Sequence, residues 1–181
     1  TVVALFAMLL AVENDFQAAL MAPTELLAEQ HARTLGGLLA PLGIVPELLL
    51  GKMPAAAKKE AKARLGQGGA RIAVGTHALM QESVAFRRLG LVVIDEQHRF
   101  GVEQRAALIG KGSAPDVLLL SATPIPRSLA LTLYGDLDQS MLRERPPGRG
   151  TVRTEIRGEQ HRERVLAFVE AECRAGRQAY I

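Results

Sequence analysis

Asp95 and Glu96 stand directly behind an unbroken apolar run, Leu91-Val92-Val93-Ile94, and Gln97 and His98 follow them. Such a run reads as a buried strand. A buried strand ending in adjacent carboxylates is where nucleotide-hydrolysing α/β domains hold a magnesium ion and an attacking water. Side chains alternate across a strand and the chain turns as it leaves the sheet, so neighbouring acids there point different ways and take different tasks. Asp95 is placed to hold Mg²⁺ through coordinated water, because magnesium prefers oxygen ligands and keeps much of its hydration shell. Glu96 is placed to orient and deprotonate the water that attacks the γ-phosphate of ATP. The competing reading is a pair of acids that closes a strand and faces solvent, and for an isolated Asp-Glu it is the commoner one.

A second signature separates the two readings. Ser121-Ala122-Thr123-Pro124-Ile125-Pro126-Arg127 also follows an apolar strand, Val117-Leu118-Leu119-Leu120. Hydroxyls at Ser121 and Thr123 on one strand tip can bond to the Asp95/Glu96 region of a neighbouring tip and sense the γ-phosphate. Pro124 and Pro126 stop the strand, and Pro126 suits the first turn of a helix expected from about Arg127 to Tyr134. A plain turn and helix start would account for the prolines. It does not account for acids and hydroxyls both following buried strands, and the two together favour an ATPase motor.

These residues need a frame, and the rest of the chain predicts one. Strands are expected at about 17–22, 46–50, 71–75, 90–95 and 116–121, with amphipathic helices between them: an α/β architecture, a parallel sheet covered on both faces. Thr24 is a suitable cap for a helix carrying Leu26, Leu27, Gln30, Leu38 and Leu39, with Glu29 and Arg33 paired on its wet side. Ala55 to Leu65 forms another helix, whose Lys58, Lys59, Lys62 and Arg64 read as a solvated face. A chain of 181 residues, 48% of them hydrophobic, can bury a sizeable core. No apolar run approaches the roughly 20 residues that span a bilayer, and Thr1-Val2-Val3-Ala4-Leu5-Phe6 lacks the basic start of a signal peptide, so a cytoplasmic protein is expected. Cys173 is the single cysteine, which excludes an internal disulfide and a cysteine zinc site, and it is read as a helix residue. The net charge of +3 is compatible with a polyanionic partner without requiring one.

Organisation changes at Arg143-Glu144-Arg145-Pro146-Pro147-Gly148-Arg149-Gly150, where charges, prolines and glycines replace apolar periodicity. Residues 1–142 are therefore expected to be one domain, 143–150 a linker, and 151–181 the beginning of another, too short to bury its own core. In that last segment Val152 to Ile156 alternates like a strand, Glu159 to Ala175 reads as a helix with Val165, Leu166 and Phe168 among its apolar positions, and Gln178 to Ile181 opens a further strand.

Long strings of this sequence resemble the RecG family of bacterial ATP-dependent DNA helicases. They are Met21-Ala22-Pro23-Thr24-Glu25-Leu26-Leu27-Ala28-Glu29-Gln30-His31, Gly75-Thr76-His77-Ala78-Leu79, Asp95 to Val102, Ser121 to Arg127 and Pro146-Pro147-Gly148-Arg149. The transcription-repair coupling factor has a similar motor, but there Glu usually replaces Gln97 and the Met-Ala-Pro-Thr-Glu string differs. The resemblance implies a RecA-like fold of the P-loop type, the start of a second RecA-like domain, ATP and Mg²⁺ as cofactors, and branched DNA as partner, bound without regard to sequence; the sequence leaves the oligomeric state open, a monomer being the favoured expectation. It makes Thr1 the last residue of the phosphate loop, with its hydroxyl on Mg²⁺; no Gly-Lys-Thr stands elsewhere in the chain, and this segment alone is expected to be inactive.

The resemblance also points to Pro23, Thr24, Gly75, Thr76 and His77 as contacts to the DNA backbone, though a capping role for Thr24 and Thr76 is chemically equivalent and His77 can serve as packing. Gln97 and His98 would link nucleotide state to the cleft. Arg99, Phe100, Gln104 and Arg127 would couple DNA to ATP, with Phe100 equally suited to a core. A nucleic-acid-binding module without hydrolysis and an RNA-directed helicase stay open beside the DNA motor.

Overall fold

The computed structural model describes residues 1–96, 100–122, 138–142, 144, 148 and 150–180. The chain divides into two units, Thr1–Leu133 and Tyr134–Ile181. The first opens with helix α1 (Val2–Glu13), then alternates β1 (Gln17–Met21), α2 (Glu25–Leu39), β2 (Glu47–Leu49), α3 (Ala55–Gln67), β3 (Ile72–Gly75), β4 (Leu89–Ile94), α4 (Val102–Ile109) and β5 (Asp116–Leu119). All five strands pair in parallel in the order β2-β3-β1-β4-β5. Each expected strand is present within a residue or two of its expected ends.

Two-residue alternation sorts the strand side chains into two cores. Ala18, Leu20, Ile72, Val74, Leu91 and Val93 meet Ala4, Leu5, Met8 and Val12 of α1 and Ala28, Leu35 and Leu39 of α2. Ala19, Met21, Leu49, Ala73, Val92 and Ile94 meet Ala61 and Leu65 of α3, Leu108 of α4, and Ala78 and Leu79 of the short 3₁₀ turn His77–Met80. Sandwiching β1, β3 and β4 this way leaves them no wet face, which is why they read as apolar runs, while the edge strands β2 and β5 are only partly covered. Leu89 joins the second core with Val92 and Ile94 because Gly90 is an extra residue: Gln17 pairs with Leu89 and Ala18 with Leu91. A Cβ at Gly90 would lie 2.5 Å from Cγ of Phe16.

One buried polar group ties the second face to the sheet. Gln17, at the start of β1, donates through Nε2 to the carbonyls of Leu65 (2.9 Å) and Ala70 (2.7 Å) and accepts from the Arg88 N–H (3.0 Å). Every hydrogen-bonding direction used is matched, so the amide is an anchor rather than a burial cost.

Several details depart from the sequence expectation. The buried stripe of α2 is Ala28, Leu35 and Leu39, whereas Leu26 (74% exposed), Gln30 and Leu38 face outward. Glu29 and Arg33 are exposed and form no ion pair with each other, in keeping with the small worth of such pairs against side-chain entropy. The basic face of α3 is not simply solvated. Lys58 donates to the Gly51 carbonyl (2.7 Å), Lys62 to Ser83 (2.6 Å) and Gln81 (3.2 Å), and Arg64 grips Glu47 with two bonds (2.6 and 2.9 Å). The helix expected at Arg127 to Tyr134 lies outside the described residues.

In the second unit, a 3₁₀ turn (Glu159–His161) leads into α5 (Arg162–Arg174), which carries Cys173 on its exposed side. Val165, Leu166 and Phe168 are exposed there. Val152 to Ile156 is not a strand, and neither are residues 178–180. A strand exists only by pairing, and among the described residues nothing offers these segments a ladder partner, so their alternation goes unused.

Candidate active site

The strand order brings the chemistry to one edge. All the C-terminal ends of a parallel sheet share a side, and ligands of open α/β sheets bind where neighbouring connections leave in opposite directions. Here that point lies between β1 and β4. The chain leaves β1 towards β3 and β2, while β4 and β5 lie on the other side.

Asp95 sits at this point. Its N–H donates to the carbonyl of Met21 at the end of β1 (2.9 Å), which continues the ladder one residue past Ile94. Its carboxylate accepts two bonds: Oδ2 lies 2.8 Å from Nε2 of His31 on α2, and Oδ1 takes the Glu96 N–H at 3.0 Å. The side chains of His31 and Asp95 are only 13% and 21% exposed. The His31 hydrogen bond holds the Asp95 carboxyl below its ordinary range, against the opposing cost of burial, with help from the imidazole charge and the Glu96 N–H. α1 packs against β1 and β4 and joins β1 through a short turn, so its start, at Thr1, returns to the edge where β1 ends.

Glu96 adopts φ 50°, a left-handed conformation that a residue with a Cβ enters at a cost of about 1–2 kcal/mol. The chain thus turns off β4 at this residue. Ser121 is at the neighbouring tip, because Ile94 pairs with Leu119 and the Leu120 N–H bonds to the Ile94 carbonyl (2.9 Å). Thr1, Asp95, Glu96 and Ser121 therefore gather at one end of β1, β4 and β5. Gln97, His98, Arg99, Thr123 and Arg127 lie outside the described residues.

The donor set is all oxygen, which suits magnesium. No cluster of three or more His, Cys, Asp or Glu side chains able to cage a metal occurs among the described residues. An ion held by one or two carboxylates, a hydroxyl and a nucleotide's phosphates matches how Mg²⁺ binds; an all-protein cage does not.

The candidate DNA contacts line the other half of the edge. Pro23 and Thr24 follow β1, and Thr24 Oγ1 caps α2 by accepting from the Leu27 N–H at 3.3 Å. Gly75 ends β3 next door and Thr76 and His77 follow it; Met21 pairs with Gly75 and the Ala22 N–H bonds to the Gly75 carbonyl (2.9 Å). Gly75 is required by contact: a Cβ there would stand 2.3 Å from the Leu49 carbonyl oxygen of β2. Thr76 is 2% exposed and its hydroxyl meets no partner, whereas His77 is exposed. Phe100 packs, partly buried, against the second core, and Gln104 accepts from the Gly101 N–H (3.1 Å) to cap α4.

Two parts of the edge were not singled out from the sequence. The Gly51-Lys52 turn after β2 joins the row, its Lys52 N–H bonded to Glu25 Oε1 (3.2 Å), and the carboxylate of Glu25 and ring of His77 border Gly51. His31 is the other. A histidine that interrupts the buried Ala28–Leu35–Leu39 stripe at helical spacing was its available signal.

A parallel α/β sheet in this order, with acids at its switch point, defines the RecA-like class of domain. The chain belongs to the DEAD/DEAH box helicase family, which it matches over residues 1–132. It is 52% identical over its whole length to the ATP-dependent DNA helicase RecG of Synechocystis sp. and 49% identical to that of Bacillus subtilis, spanning 22% and 26% of those proteins. A solved structure of RecG bound to a three-way DNA junction superposes with a TM-score of 0.82 at 44% identity, over 97% of this chain and 24% of the other.

Proposed function

We propose that this chain is the ATP-binding part of a RecG-type helicase motor that uses ATP hydrolysis to remodel branched DNA in bacterial cytoplasm. Residues 1–142 would form the first RecA-like domain, 143–150 the connector and 151–181 the opening of the second. The observation that carries this reading is the meeting of Asp95, Glu96 and Ser121 at the switch point of the sheet, on which α1 packs, in a chain alignable end to end with RecG.

In this role Asp95 and the Thr1 hydroxyl would hold Mg²⁺, which when bound neutralises charge on the phosphates. Glu96, where the left-handed backbone turns the chain off β4, orients the water and takes its proton. Ser121, with Thr123, reports the γ-phosphate to the next tip. Pro23, Thr24, Gly75, Thr76 and His77 meet the DNA backbone, which carries affinity without sequence information. For the buried Thr76 hydroxyl this requires the corner to open. Gln97, His98, Arg99, Phe100, Gln104 and Arg127 relay between the two ligands.

The test is ATP turnover by the intact protein with forked DNA, with RNA and with neither. Forked DNA is expected to stimulate and RNA not. Glu96→Gln should cost about 10²-fold or more in stimulated turnover, the usual worth of a general base, and Asp95→Asn should do likewise. Full turnover in either variant would remove the reading, and stimulation by RNA alone would redirect it.

A further inference from the structure

His31 belongs to no part of the mechanism above, yet it makes the shortest polar contact to Asp95 among those described. It sits on α2 two turns after Thr24, at a position shared with Ala28 and Leu35 on the buried stripe, and is 13% exposed. A polar ring on that stripe needs a partner, and Asp95 supplies one at 2.8 Å.

The consequence for Asp95 is geometric. A carboxylate has about four acceptor positions on two oxygens. One is taken on Oδ1 by the Glu96 N–H and one on Oδ2 by the imidazole. One bond on each oxygen restrains the rotation of the carboxylate plane and leaves a lone pair on each. The backbone of Asp95 is fixed too, through Met21 of the strand that runs into α2.

We infer that His31 is a positioning residue, which holds the Asp95 carboxylate in the orientation that receives the hydrated magnesium ion. The inference rests on the ATPase reading. It also sets α2, whose first residues line the nucleic-acid half of the edge, in direct contact with the acid of the nucleotide half.

The experiment is equilibrium binding of fluorescent ADP to the intact protein as Mg²⁺ is titrated, which reads the metal without turnover. Partners of metal-ligating groups are typically worth 10–100-fold in metal affinity, so His31→Leu should raise the Mg²⁺ midpoint about tenfold or more. Metal-free ADP binding should be unchanged, and His31→Gln, which restores an N–H at similar reach, should return the midpoint towards that of the unsubstituted protein. A purely structural histidine would move melting temperature without moving the midpoint. If His31→Leu does not fold, His31→Asn, polar but too short to reach, carries the same expectation. An unshifted Mg²⁺ midpoint in a folded His31→Leu or His31→Asn protein overturns the inference and leaves the ATPase reading standing. Absence of Mg²⁺-dependent ADP binding in the unsubstituted protein overturns both.

Discussion

At the scale of single residues, Asp95 is the group whose surroundings were built most specifically. The His31 bond, the imidazole charge and the Glu96 N–H lower its carboxyl relative to the ordinary value of about 3.9. Between the folded and the ordinary value the unfolded chain binds more protons, so stability rises with pH across that window. The contribution is complete above the ordinary value and is lost as pH falls through the folded one. Urea unfolding of this chain and of Asp95→Asn should therefore show a stability gap at pH 7 that closes as the pH falls below about 4. A gap independent of pH would mean that the His31–Asp95 contact does not persist in solution. The acid itself was legible from its apolar approach, Leu91 to Ile94. Its partner was not, because 64 positions separate the two and nothing local to His31 names what it faces.

At the scale of elements, the strands announced themselves because burial on both faces demands uninterrupted apolar residues. Helix faces were harder. In α2, Leu26 and Leu38 look like core residues by type, but the stripe that meets β1 and β3 is Ala28, Leu35 and Leu39, and only the helix's rotation against the sheet decides that. The lysines of α3 were read as a wet surface for the same reason: Lys58 and Lys62 reach carbonyl and hydroxyl partners on loops that a sequence does not place beside them. Glycines at strand ends carry comparable information. Gly75 lets β2 and β3 approach at the corner that presents Thr76 and His77, and a methyl group there would drive into the Leu49 carbonyl. Gly75→Ala is expected to destabilise the domain by about 1–3 kcal/mol, the usual cost of overpacking. Thermal or urea denaturation would check it, and an unchanged midpoint would show that the β2–β3 spacing adjusts freely.

At the scale of the whole molecule, the proposed catalysis would need more positive charge around the phosphates than the described residues bring to Asp95. The sequence has no Gly-Lys-Thr, since Lys52 is followed by Met53 and Lys111 by Gly112, and no lysine is placed beside Asp95 among the described residues. Transition-state charge would go largely uncompensated. The isolated 181-residue chain is therefore expected to show no measurable DNA-stimulated ATP hydrolysis, and any DNA binding should weaken steeply with salt. Vigorous turnover by the purified chain would contradict this.

By itself the sequence determined the strand and helix order, the apolar strands that end in Asp95-Glu96 and Ser121, and the turn residues after β1 and β3, because these depend on periods of two or 3.6 residues and on local turn chemistry. The tertiary structure decided which tips are neighbours, that the switch point falls between β1 and β4, and that His31 closes on Asp95. Those facts follow from strand order and helix rotation, which are set by packing between segments tens of residues apart and leave no mark in any short stretch of chain.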